Sequence, residues 1–69
     1  MIVQRCIEIL KGVTHGNREG LPREVHISKE EHPDLAKMVG EGPIFILAIH
    51  SVPFYLDASL KKGDVIAEW

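Results

Sequence analysis

Six consecutive apolar residues, Ile44-Phe45-Ile46-Leu47-Ala48-Ile49, constrain this chain more than any other feature. The run lies between Gly42-Pro43 and His50-Ser51, is too short to be an independent helix, and is rich in branched and aromatic side chains. That combination predicts a buried central strand over 43–50. From Phe54 the pattern alternates. Phe54, Leu56, Ala58 and Leu60 fall on one face and Tyr55, Asp57 and Ser59 on the other, which predicts a half-buried strand over 53–60. Lys61-Lys62-Gly63-Asp64 reads as a turn, and Val65, Ala67 and Trp69 then alternate with Ile66 and Glu68. The expectation is a strand over 65–69 paired with the preceding one as a C-terminal hairpin. Pro53 lacks the donor of an inner ladder and marks a bend or an edge position.

The N-terminal half is less decided. Over residues 2–13, winding at about 100 degrees per residue gathers Ile2, Val3, Cys6, Ile7, Ile9, Leu10 and Val13 on one arc of about 160 degrees, opposite Gln4, Arg5, Glu8 and Lys11. Periodicity prefers a helix, with Gly12 as its stop and Val13 folding back. The abundance of Ile and Val, with no N-cap residue available, suits a strand, so both readings stay open. Residues 14–24 show neither period and form the longest loop. Val25-His26-Ile27 alternates, as a short edge strand over 25–28 would. Ser28 stands at capping-box spacing before Glu31. Pro33 at a first helical position, followed by Leu35, Met38, Val39 and the stop Gly40, predicts a helix over 33–39.

These elements imply an α+β fold over a single domain, 1–69, with three or four mostly antiparallel strands and one or two short helices. If residues 2–11 form a strand, the alternative is a mostly β, small barrel-like fold. A chain of 69 residues buries only roughly 60% of the surface its extended form exposes. With 45% apolar residues and a mean hydropathy of +0.02, it carries more apolar side chain than so small a core encloses. A partner or a second copy is therefore expected to cover the remainder. The aromatic, outward-facing Tyr55, with Ile66 and the terminal Trp69, is the expected interface.

Charge and cysteine content limit the other classes. A net charge of -2 and basic residues each interleaved with acidic ones argue against a nucleic-acid track. One cysteine cannot form an internal disulfide, so a reducing cytoplasmic setting is the default. No signal-peptide pattern or membrane-length apolar run is present. No cofactor motif occurs. A divalent metal has one candidate set in His26, Glu30, Glu31, His32 and Asp34, five imidazole or carboxylate side chains within nine residues. Zinc or nickel accepts such mixed nitrogen and oxygen donors, although the spacing matches no established motif. His50, near Ser51, Tyr55 and Asp57, offers the parts of a base and a nucleophile, and Cys6 a thiol, but no catalytic pattern surrounds them. The leading expectation is a small self-associating protein-interaction module. A metal or small-ligand binder using His26 and His32, and an oligomeric enzyme with an inter-subunit site near His50, are the alternatives.

Overall fold

The computed structural model describes residues 2–14, 20–37 and 42–69. The helical period of the first segment prevails: α1 spans Ile2–Thr14. Its buried stripe is Cys6, Ile9 and Leu10, with Ile2 and Val13 packed partly against the same core. Branched side chains tolerate a helix when one face is buried. Gly12 does not stop it. The helix runs on to Thr14, whose hydroxyl donates to the Leu10 carbonyl at 2.9 Å and the Lys11 carbonyl at 3.1 Å, occupying acceptors the last turn leaves open.

Strand β1 covers Glu24–Ser28, followed by a 3₁₀ turn at Lys29–Glu31 and the short α2 at Pro33–Ala36. Ser28 caps the 3₁₀ turn, its hydroxyl accepting from the Glu30 N–H at 3.0 Å, and Pro33 occupies the start of α2 as its sequence position implies. The expected continuation of that helix through Met38, Val39 and Gly40 lies outside the described residues, as do residues 15–19 of the long loop. Strands β2 (Ile44–Ile49), β3 (Val52–Asp57) and β4 (Val65–Glu68) complete a four-stranded sheet of order β2-β3-β1-β4. It is α+β and is not closed into a barrel.

Pairing between strands departs from the sequence reading in three places. β3 and β4 do not form a hairpin: β1 lies between them, parallel to β3 and antiparallel to β4. The expected edge strand is thus interior, and the all-apolar β2, expected to be central, is an edge strand paired, among the described residues, with β3 alone. Alternation inside a segment reports which side chains share a face, and it is silent on which strand lies beside which. The hairpin that does form joins β2 to β3 through His50-Ser51, both at positive φ, 51° and 67°.

The fully buried apolar strand side chains pack with the inner face of α1. Val25 and Ile27 of β1 and Phe54 and Leu56 of β3 have no exposed surface, and Val52 is nearly as buried, packed against Cys6, Ile9 and Leu10. The connection from β3 to β4 is fastened to the 3₁₀ turn by polar contacts. The Ser28 hydroxyl donates to the Leu60 carbonyl at 3.1 Å, and the Lys62 N–H donates to Glu30 Oε2 at 3.1 Å. Gly63 N–H donates to Glu31 Oε1 at 2.8 Å, from a residue whose φ of 92° suits glycine.

Candidate functional site

One helix layer on a four-stranded sheet leaves the other sheet face without a covering element among the described residues. Strand alternation puts Glu24 and His26 of β1, Tyr55 and Asp57 of β3, Phe45 of β2, and Ile66 and Glu68 of β4 on that face. The registers align four of them in one row across the sheet. Phe45 is opposite Tyr55, Tyr55 opposite His26, and His26 opposite Ile66. The row is in ring contact along most of its length: His26 stacks on Tyr55 with centroids 5.1 Å apart, and Phe45 meets Tyr55 edge-on at 5.9 Å. Phe45 is 53% exposed and Ile66 43%, so the two ends of the row are open to solvent.

His26 is the polar centre of this face. Its Nδ1 is 2.9 Å from Asp57 Oδ2 and its Nε2 is 2.6 Å from Glu24 Oε2, so each ring nitrogen faces one carboxylate. Burial opposes the charged imidazolium, but the hydrogen bonds to Glu24 and Asp57 and their negative charges outweigh it, raising the pKa above the ordinary 6.5. Asp57 is held below the usual carboxylate range, first by the hydroxyl and N–H of Ser59 donating to its Oδ1 and then by His26. Arg23 adds a loose cation at the margin, 3.9 Å from Glu24 and 4.0 Å from Glu68. Sequence reading assigned no role to Glu24 and did not join Asp57 to His26. Glu24-Val25-His26 alternation signalled that Glu24 and His26 share a face, but the approach of Asp57 depends on the parallel β1–β3 pairing.

The expected metal set does not converge. His26 belongs to the sheet face, and its two nitrogens point to carboxylates on opposite sides of the ring, an arrangement that cannot chelate one ion. Glu31 is engaged by Arg5, whose Nε and Nη2 donate to Oε2 and Oε1 at 3.0 and 3.2 Å. That guanidinium, seconded by Gly63, holds the Glu31 carboxyl below its ordinary pKa and leaves it filled by a cation of the chain's own. Glu30 accepts from Lys62. Glu31, His32 and Asp34 do line a common open cavity with Ile2, Pro33 and Leu35, and His32 Nε2 is buried there without a hydrogen bond, 3.9 Å from Glu31. Among the described residues no group of three or more His, Cys, Asp or Glu side chains is placed to hold a metal ion. The spacing brought these residue types close in sequence, and the 3₁₀ turn directs two of the carboxylates to the β3–β4 connection instead.

The parts of an enzymatic site are also dispersed. His50 and Ser51 form the β2–β3 turn, whereas Asp57 ends β3 at the opposite end of that strand. His50 borders a cavity of about 200 Å³ with Leu10, Lys11, Thr14, Leu21 and Ile49, away from any carboxylate in its lining. Cys6 is wholly buried, and desolvation pushes its thiol up to about 11, so it is held as a neutral core side chain. Trp69, the third expected interface residue, is 38% exposed beyond β4. No described helix is long and apolar enough to cross a membrane. Set against known protein families, curated proteins and solved structures, the chain matches none of them.

Proposed function

We propose that this chain is a small assembly module that self-associates and offers the uncovered side of its sheet to a further protein. The observation that carries the proposal is the Phe45–Tyr55–His26–Ile66 row, an apolar and aromatic strip spanning every strand on the side away from α1. Large apolar side chains gathered on one face lose contact with water when a partner covers them, and each contributes on the order of 1.5–3 kcal/mol when fully buried. Tyr55 and Ile66, the interface residues expected from the sequence, belong to this row, bridged by His26 rather than by a hairpin. Trp69 extends the same C-terminal margin.

The metal and enzyme readings draw no comparable support. An imidazole with both nitrogens engaged by carboxylates has no lone pair ready for a proton or an ion. The test of the assembly reading is solution mass by light scattering over a wide concentration series, with amide spectra recorded alongside. The expected outcome is a mass above 7.7 kDa that rises with concentration, with concentration-dependent shifts among the sheet amides. A single-chain mass at the highest attainable concentration, with the sheet amides unmoved, overturns it.

A further inference from the structure

Among the described residues, β2 is the less protected of the sheet's two edges. Edge strands usually carry charged side chains, because their unpaired N–H and C=O groups otherwise recruit another strand. β2 carries none. From Gly42 to Leu56 the chain has no Asp, Glu, Lys or Arg, and all six residues of β2 are apolar. A bulge between Phe45 and Leu47 distorts the first half of the strand, which leaves Leu47–Ile49 as its regular half.

The hydrogen-bond directions in that half follow from the turn. In a hairpin with a two-residue loop, the pair flanking the loop, here Ile49 and Val52, exchanges hydrogen bonds, and the next pair, Ala48 and Pro53, does not. Proline at position 53 agrees with this, since it has no N–H to give. Ala48 therefore directs its N–H and C=O to the free edge. Its side chain is a methyl group on the exposed face, small enough for another backbone to approach closely.

We propose that two copies of this chain join edge to edge, antiparallel, through Leu47–Ile49, with Ala48 opposite Ala48 of the second copy. The two Ala48 residues exchange two backbone hydrogen bonds across a two-fold axis, and the half-buried Leu47 of each copy is set against Ile49 of the other on the helix side. The result is one eight-stranded sheet. Charge selects this contact over the others open to a second copy. Antiparallel pairing of β4 about Ile66 sets Glu68 against the other copy's Asp64 twice. Stacking the uncovered faces brings Glu24, Asp57 and Glu68 toward their own counterparts. β2 about Ala48 meets itself without opposing carboxylates.

This inference rests on the assembly reading and specifies how two copies meet. Its test compares wild type with Ala48→Pro, Ala48→Lys and Ile66→Lys by light scattering and sedimentation, with circular dichroism establishing that each is folded. Ala48→Pro removes both central hydrogen bonds without touching the β2–β3 ladder, and Ala48→Lys keeps the N–H but adds a charge at the edge. The expected result is a two-chain mass for wild type and Ile66→Lys, and at least a tenfold weaker association for both Ala48 variants. A wild type that associates while folded Ala48→Pro and Ala48→Lys do so equally well overturns edge pairing and leaves the assembly reading intact. Loss of association in Ile66→Lys alone assigns the contact to the sheet face, with the same consequence. A wild type that remains a single chain overturns both.

Discussion

At the scale of single residues, His26 is the group whose charge is most tightly bound to the fold. Glu24 and Asp57 accept from both of its nitrogens only in the folded chain, and its pKa is raised above 6.5. A raised histidine pKa contributes stability that is complete below the unfolded value and is lost as pH climbs through the folded value. Stability is therefore expected to decline as pH rises above 6.5, and Cys6 adds a second loss above the ordinary thiol value of 9.0. Asp57 and Glu31 have depressed values, so their contribution is present above 3.8 and 4.5 respectively and fades as pH falls through the folded values. Thermal melts across this range should trace a dome, and His26→Gln should flatten its alkaline side above pH 6.5, ahead of the thiol loss that begins at 9.0. An unchanged alkaline slope in that variant would show that the imidazole is not the titrating group.

At the scale of elements, the β2–β3 hairpin holds the most costly local conformation. His50 and Ser51 both occupy positive φ, the geometry of the primed two-residue turns whose twist matches that of paired strands. Asparagine and glycine adopt it readily, whereas most other residues there cost about 1–2 kcal/mol. Replacing His50-Ser51 by Asn-Gly should stabilise the chain by about 1 kcal/mol, read as an increased urea midpoint with an unchanged slope. A lower midpoint would mean that His50 or Ser51 makes a compensating contact. The turn also explains a part of the fold that was hard to read. His50-Ser51 bounded the apolar run correctly, but neither residue is a typical turn former for these angles, so the tight link between β2 and β3 was less legible than the strands it joins. The opposite holds for β3, where Phe54 and Leu56 alternate with Tyr55 and Asp57 in sequence and divide between core and open face in space.

Across the whole molecule, a single layer of core must supply nearly all the stability. Phe54 is the largest wholly buried side chain and lies beside the inner residues of α1 and β1. Phe54→Ala should cost about 3–5 kcal/mol, most of the roughly 5 kcal/mol expected of so small a domain, and leave the chain only marginally folded at room temperature, with a steeply lowered melting temperature by circular dichroism. A cooperative melt close to that of wild type would show that the core is larger than its buried residues indicate. The one-sided core also governs the functional proposal, because the layer that buries Phe54 and Leu56 cannot also cover Phe45, Tyr55 and Ile66 on the reverse of the same strands.

Taken alone, the sequence determined where the strands lie, which side chains of β3 and β4 share a face, the helical stripe of α1 as the preferred period, and an excess of apolar surface. Each of these depends on neighbours within a few positions, where side-chain spacing and backbone geometry are directly coupled. Tertiary structure alone decided that β1 enters between β3 and β4, that the apolar β2 is left at the edge, and that Asp57 meets His26 across a separation of 31 residues. Strand neighbours are chosen by the collective burial of one face against α1, a sum over the whole core that no local pattern records.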